Sequence, residues 1–413
     1  MSVQNIVVIG AGTVGVCCAL YLQRDGHRVT LIDRHDPGRG CSYGNAGIFQ
    51  YGACVPQSTT GILRRIPRML VDRKAPLVIR WRHLPRILPE LFRFVQSAHP
   101  DRVEQYSLAL AWILEQADAA YAALITQAKA QHLIRRSGEM TVYRDRAAYL
   151  KAHHGRTLRR KRGVKVVDIE GAALTNMIPG LSHEFRFGTY LPDCTSTTDP
   201  YRLTLMLAET FAGNGGIVLR ENVTDLIVGP SGVSVAVTDA GRHELDSLVL
   251  AAGAFSKPWA SALGARVPLY TERGYHIMVS EPGIDLPFPI LSGDYRFGLT
   301  PMIDGLRLAG TAELAGLDLP PDYERARMLV PLAKLLFPNL SETTGKCWMG
   351  HRPSMPDSLP VLGRSPKYDN AYFAFGHGHL GLTLGGVTGK LIADLVSGRI
   401  TNTALRAFRA NRF

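Results

Sequence analysis

The strongest constraint on this chain lies in its first 33 residues. Ile6–Ile9 is a short, uninterrupted apolar run, and Gly10-Ala-Gly12-Thr-Val-Gly15 comes directly after it. Val16–Arg24 then has helical character and stops near Gly26, and His27–Asp33 is a second apolar strand ending in an acid. Each part has a physical job. Gly10 permits a tight turn, Gly12 lets the backbone approach a pyrophosphate, and Gly15 lets helix and strand pack closely. The helix N-terminus favours negative phosphates, and Asp33 can accept hydrogen bonds from ribose hydroxyls. The glycine spacing alone is a weak signal. In its strand–turn–helix–strand–acid setting it predicts a dinucleotide-binding unit.

The segments after residue 33 argue against the usual nicotinamide dehydrogenase plan, in which further strand–helix units come soon after the fingerprint. Residues 34–60 are rich in Gly, Ser, Asn and Pro and read as loop. A buried strand ending Ala251-Ala-Gly253 returns only some 220 residues later, and a third Gly-rich element, His377–Gly386, closes the chain. A cofactor domain gathered from distant segments suits a large cofactor such as FAD, whose flavin must reach a second domain. Between these segments, Asp199-Pro200 opens a clear helix, with Asp199 as its N-cap.

The remaining composition narrows the class without choosing a partner. With 413 residues, 46% of them apolar and 20% charged, the chain has ordinary globular composition and length for two or three domains. The net charge of +12 permits nucleic acid, an anionic membrane or anionic ligands. The six cysteines are scattered, with no Cys-x-x-Cys pair, and read as reduced thiols in a reducing compartment. No signal peptide or transmembrane helix is expected, and the location expected is cytoplasmic. His377-x-His379 lacks further ligands, so no metal site is expected.

Two basic stretches invite a functional reading. Residues 61–102 carry ten Arg or Lys against three acids, with Ile66, Met69, Leu70, Trp81, Leu84, Leu88, Leu91 and Phe92 interleaved. Such a stretch either lies on an anionic membrane surface, peripheral to the inner face of the cell membrane, or forms a solvated basic face. The cluster Arg156, Arg159, Arg160, Lys161 and Arg162 has no nucleic-acid fold motif beside it. It reads as a solvated loop, and no nucleic-acid partner is expected.

At the level of motifs the whole chain resembles the D-amino-acid oxidase-like FAD superfamily, and in particular the bacterial D-amino-acid dehydrogenases. The resemblance rests on Ile9-Gly-Ala-Gly-Thr-Val-Gly15, Cys41-Ser-Tyr-Gly-Asn-Ala-Gly47, Asp199-Pro200 and Leu250-Ala-Ala-Gly-Ala254. It continues with Arg352-Pro353 beside Pro356-Asp357 and Pro360-Val-Leu-Gly363, and with Gly376-His-Gly-His-Leu-Gly-Leu-Thr383. Glu272-Arg-Gly-Tyr-His276 and the final Gly-His-Leu-Gly-Leu-Thr run are most similar to the branch that oxidises D-proline and D-hydroxyproline.

The resemblance implies an α/β fold: a Rossmann-like FAD-binding domain from residues 1–60, 195–262 and 345–413, and an α+β substrate domain with a mostly antiparallel sheet from 61–194 and 263–344. It implies that Gly10, Gly12, Thr13, Val14, Gly15, Asp33 and Arg34 hold the ADP half of FAD. Ser42, Asn45, Ala46 and Gly47 would line the pyrophosphate and flavin, with Val223 on the adenine side and Ala252 and Gly253 nearby. Gly378, Gly381, Leu382 and Thr383 would approach the flavin ring, where a helix N-terminus stabilises its anionic reduced form. Arg352 would fork onto the substrate carboxylate, as Lys cannot. Tyr275, His276 and His379 are further candidate active-site residues, Tyr275 as a donor to that carboxylate. The Cys347 thiol is displaced from the position of a covalent flavin attachment, so non-covalent FAD is expected. The implied reaction passes a hydride from Cα of a small D-amino or imino acid to flavin N5, and then electrons to quinone or another redox partner. A glycine- or sarcosine-type amine oxidase using O2 and a non-catalytic FAD subunit of a larger complex are the alternatives.

Overall fold

The structure, a computed structural model, describes residues 2–58, 75–230, 232–341 and 345–413. Two large sheets organise it. The first has six strands in the order Ile217–Arg220, Arg28–Asp33, Asn5–Ile9, Ser247–Leu250, Ala371–Phe375, Val361–Arg364, and only the last is antiparallel. Its central strands are mostly apolar because both faces are covered. The pleat sends Ile6, Val8, Leu31 and Val249 into one core. Val7, Ile9, Ile32, Leu248 and Leu250 enter another on the opposite face.

Helices Thr13–Arg24, Pro200–Gly213 and Gly381–Val396 cover the first face. The three-stranded meander of Val223–Gly229, Gly232–Thr238 and Arg242–Glu244 covers the second. The expected start of helix Pro200–Gly213 holds: Asp199 Oδ1 accepts from Arg202 N at 2.9 Å, and Pro200 takes the first helical position.

The second large sheet is mostly antiparallel. Its order is Lys346–Ser354, Tyr270–Val279, Gly305–Leu314, Phe297–Met302, Ile290–Ser292, Glu139–Tyr143, Phe187–Leu191, Val167–Glu170, and Leu77–Ile79 pairs with Gly305–Leu314. A separate core backs it, including Tyr275, Ile277, Leu308, Leu329 and Phe337. Ile48–Phe49, Thr195–Thr197 and Ile134–Arg135 form a small linking sheet.

Several expectations change. Residues 345–366, expected as a loop of the cofactor domain, contain Lys346–Ser354, an edge strand of the second sheet. The single helix expected over 103–131 is two helices, Pro100–Glu115 and Ala117–Gln127. They carry Leu110, Ile113, Tyr121 and Leu124 into the cofactor-domain core, whereas the segment is expected from sequence in the substrate domain. Together these two helices are long and apolar enough to cross a membrane by composition. Their burial in that core reads instead as packing. Of the basic stretch 61–102, residues 61–74 lie outside the described residues.

In the 156–162 cluster the side chains of Arg156 and Arg162 are buried, while Arg160 and Lys161 stay exposed but ion-paired. Arg156 is buried against the Tyr149 ring, Arg160 pairs with Asp168 at 2.6 Å, and Lys161 and Arg162 each pair with Glu104 at 2.7 Å. These cations brace the helix His153–Lys161 and the turn after it, in place of the solvated loop expected there.

Candidate active site

The first part of the site is a backbone cradle. Gly10 has φ +106°, and a Cβ there would fall 2.5 Å from the Ala251 carbonyl oxygen. A Cβ on Gly15 would fall 1.8 Å from the Gly10 carbonyl oxygen, so any side chain would push helix and strand apart. Helix Thr13–Arg24 begins after Gly12 with no side-chain cap, which leaves first-turn N–H groups and the positive end of the helix dipole facing the loop. Thr13 N donates to Ser42 Oγ at 3.0 Å. Val14 comes next to Thr13 in the same first turn.

Asp33 ends the neighbouring strand. Its carboxylate accepts from Ala11 N at 2.7 Å and His35 N at 2.9 Å. The Arg34 guanidinium lies 4.0 Å from the Phe255 ring centroid. Gly253, at φ +55°, and Ala252 come after Ser247–Leu250, beside Gly10. Val223 begins the meander just beyond Arg220, which pairs with Asp33. A helix N-terminus, a glycine-lined approach and an acid at the adjoining strand end fit the pyrophosphate and ribose of a dinucleotide.

The second part is the Cys41–Gly47 loop. Asn45 Oδ1 accepts from Gly47 N at 2.9 Å, and Thr197 N donates to Gly47 O at 2.7 Å. Ala46 lies between these anchors. Gln50 N donates to Thr383 Oγ1 at 3.1 Å, which ties this segment to the final helix. There Gly378 begins a short 3-10 turn, and Gly381, Leu382 and Thr383 open Gly381–Val396. All three glycine-bearing segments therefore meet at one end of the first sheet.

The third part is one face of the second sheet. Tyr270–Val279 and Lys346–Ser354 pair with Glu272 opposite Arg352, Gly274 opposite Gly350, and His276 opposite Trp348. Alternation puts all six on one face. That face meets the Cys41–Gly47 loop: His276 Nδ1 lies 3.1 Å from Gly44 O and Arg307 Nη1 donates to Asn45 O at 2.5 Å.

Arg352 lies across Gly274, where a Cβ would fall 2.2 Å from the guanidinium carbon. Its Nη1 donates to Glu272 Oε1 at 2.8 Å, and the same oxygen sits 3.0 Å from His379 Nε2. Burial pushes the Glu272 carboxyl up, but His379 and Arg352 outweigh it and hold the group at about 2. The Cys41 thiol next to this pair is pushed up to about 11, chiefly by burial, so it stays neutral. His276 is kept neutral by burial and by Arg307, which draw it down to about 3. Its ring stacks on Trp348 with centroids 5.1 Å apart and planes at 20°.

Of the residues singled out in the sequence, Arg352, His276 and His379 come together here. Tyr275 does not. It points to the opposite face, where its hydroxyl donates to Glu313 Oε2 at 2.6 Å and accepts from Asp322 N at 3.2 Å. One residue's offset in a strand reverses the face, so the role as a carboxylate donor is withdrawn. Cys347 likewise faces the second core.

Sequence reasoning missed Glu272, Trp348 and Arg307. The signal for the first two is present, since Glu272, Gly274 and His276 alternate, as do Trp348, Gly350 and Arg352. It needs 345–354 to be read as a strand. Arg307 carries no local signal. It is buried, its Nε has no hydrogen-bond partner among the described residues, and burial lowers it to about 10. Among the described residues no group of three or more His, Cys, Asp or Glu could hold a metal ion.

Comparison with known proteins agrees with this architecture. The family model described as FAD dependent oxidoreductase matches residues 5–395. A D-amino-acid oxidase of Bradyrhizobium diazoefficiens is 36% identical over 417 residues, covering 99% of both chains. A D-amino acid dehydrogenase of Paramagnetospirillum magneticum is 32% identical over 421 residues, again covering 99% of each. Among solved structures, glycine oxidase from Geobacillus kaustophilus superposes with a TM-score of 0.78 at 20% identity, covering all of both chains. L-proline dehydrogenase from P. horikoshii does so with a TM-score of 0.75 at 18% identity, covering 100% of this chain and 98% of that one. With the fingerprint cradle, the converging glycine segments and a match along almost the whole length, the chain belongs to the family of FAD dependent oxidoreductases.

Proposed function

We propose that this protein is a D-amino-acid dehydrogenase that oxidises small D-amino or cyclic imino acids. The observation that carries the reading is the guanidinium of Arg352. Only its Nη1 is engaged, so the Nε–Nη2 edge has no hydrogen-bond partner among the described residues. That edge is a planar fork matched to a carboxylate, on the sheet face that meets the cofactor loops. Bound FAD supplies the hydride acceptor for the substrate Cα–H bond. The chain's own contribution is positioning: Arg352 fixes the carboxylate and thereby which face of Cα is presented. No general base is assigned to the protein: Glu272, held at about 2, and His276, held at about 3, are both too weakly basic to keep a proton at neutral pH. The D-configuration rests on the names of the two full-length relatives. The flat, uncharged His276–Trp348 wall supports a ring-bearing substrate such as D-proline or D-hydroxyproline.

The FAD is read as non-covalent, since Cys347 faces the second core. Electrons pass on to a quinone or another redox partner. A peripheral position on the inner face of the cell membrane is supported by one surface feature. Trp81, Leu88 and Phe92 are 61%, 54% and 63% exposed at spacings of seven and four, beside exposed Arg82, Arg86 and Arg93. Sedimentation with anionic and neutral vesicles tests this, and equal binding to both argues against it.

The deciding experiment for the reaction is anaerobic flavin bleaching against D- and L-amino acids, including both hydroxyproline epimers. Bleaching by D-substrates is expected. Bleaching by L-substrates alone overturns the stereochemistry, and no bleaching by any amino acid favours a non-catalytic FAD subunit. Rapid reoxidation by O2 with hydrogen peroxide release favours an oxidase.

A further inference from the structure

We propose that Glu272 receives the nitrogen of the substrate while Arg352 receives its carboxylate, so that the site recognises a zwitterion. This rests on Arg352 as the carboxylate anchor and extends recognition to the second charged group of an amino acid.

The geometry of the pair is the starting point. An Arg and a carboxylate that serve only each other tend to close two parallel hydrogen bonds. Here a single bond of 2.8 Å joins Arg352 Nη1 to Glu272 Oε1, and His379 Nε2 lies 3.0 Å from the same oxygen. Glu272 Oε2 has no hydrogen-bond partner among the described residues, and neither has the Nε–Nη2 edge of Arg352. One unused acceptor and one unused donor fork thus adjoin each other on directly paired strand positions.

The charge pattern points the same way. A site for a plain carboxylate gains from a lone guanidinium and loses from an acid beside it. Glu272 is 8% exposed, so its charge is screened little by solvent. It repels any anion that arrives without a compensating cation. An amino or imino acid brings that cation on the atom next to Cα. The Cys41 thiol beside the pair is pushed up to about 11, chiefly by burial, and adds no negative charge. The arrangement therefore selects amino acids over hydroxy acids and simple carboxylic acids by repulsion as well as by attraction.

The test compares two ligands that have no Cα hydrogen and cannot be oxidised: 2-aminoisobutyrate, and pivalate, in which a methyl replaces the nitrogen. Both are titrated calorimetrically into purified holoprotein. The native protein is expected to bind 2-aminoisobutyrate about tenfold to a hundredfold more tightly, as for one charge-assisted hydrogen bond. Glu272→Gln should remove that preference while holding pivalate as well as before or better, and Glu272→Asp should keep part of it. Retained flavin absorbance reports that each variant is folded. If Glu272→Gln weakens both ligands by the same factor, Glu272 only orients Arg352 and the proposal fails. It fails too if the native protein does not prefer the amino compound. Unchanged affinity of Arg352→Lys for both ligands would instead retire the assignment of Arg352 itself.

Discussion

Glu272 and Arg352 stand directly opposite each other on two antiparallel strands, and the acid takes one guanidinium nitrogen at 2.8 Å while the rest of the fork has no hydrogen-bond partner among the described residues. The pair lies on the sheet face turned toward the Cys41–Gly47 loop, and His379 from the last glycine-rich turn closes over it. Sheet, loop and the last glycine-rich turn thus converge on one charged cluster.

Arg352→Lys should retain FAD and lose catalytic efficiency. Lysine keeps the charge but cannot present two parallel N–H groups. A loss of about 2–4 kcal/mol in kcat/KM is expected, with much of it in KM. Steady-state kinetics with a dye acceptor measure this. Kinetics equal to those of the native protein would remove Arg352 from the site.

Gly274→Ala tests the same guanidinium without touching it. The new methyl would lie 2.2 Å from the Arg352 guanidinium carbon, so the side chain must move. Flavin content should be unaffected, and kcat/KM should drop about tenfold or more. A crystal structure or an unchanged rate constant decides whether the strand yields instead.

Gly15→Ala addresses the cofactor. A methyl 1.8 Å from the Gly10 carbonyl oxygen cannot be accommodated unless the first helix separates from the first strand. The purified variant should carry little FAD, as read from its visible absorbance. Full flavin occupancy would show that the close packing at Gly15 is dispensable.

Acid should destabilise the fold in two stages. His276, His351 and His377 are held neutral, chiefly by burial, at about 3, 4 and 3 against an ordinary value of 6.5. Each binds a proton more readily in the unfolded chain, so stability declines as pH falls below about 6.5. These three alone contribute a slope of at most about 4 kcal/mol per pH unit, less for the partly exposed His351, and His27 and His83, also drawn down by burial, add to it. Glu272 adds a lower stage. Its folded value of about 2 lies below the ordinary 4.5, so its stabilisation is complete above about pH 4.5 and is lost as pH falls toward 2. Urea unfolding at a series of pH values should show both stages. His377→Asn should lower the slope between pH 6 and 4.5 by about 1 kcal/mol per pH unit, and an unaltered slope would exclude His377 as a contributor.

Much of this was legible along the chain because it depends on neighbours in sequence. The Gly10–Gly15 turn, the strand before it, the helix after it and the acid at residue 33 are set by local backbone freedom and apolar periodicity. Asp199 as a cap is equally local, since its acceptor and its donor are three residues apart. Faces were not legible in the same way. Whether Tyr275 or its neighbours Gly274 and His276 point toward the cofactor loops depends on strand register. Register is decided by packing against a core made of residues such as Phe337 and Leu308, far away in the chain. The strand Lys346–Ser354 reads as a loop in isolation and becomes a strand by pairing with Tyr270–Val279. The meeting of Glu272, Arg352 and His379 brings together residues 272, 352 and 379, whose spacing carries no period. The amino-acid order alone settled the dinucleotide cradle and the class of fold, because those rest on short-range sterics. Tertiary structure decided which side chains share the candidate site, because a strand shows its two faces to different surroundings and only long-range pairing assigns them.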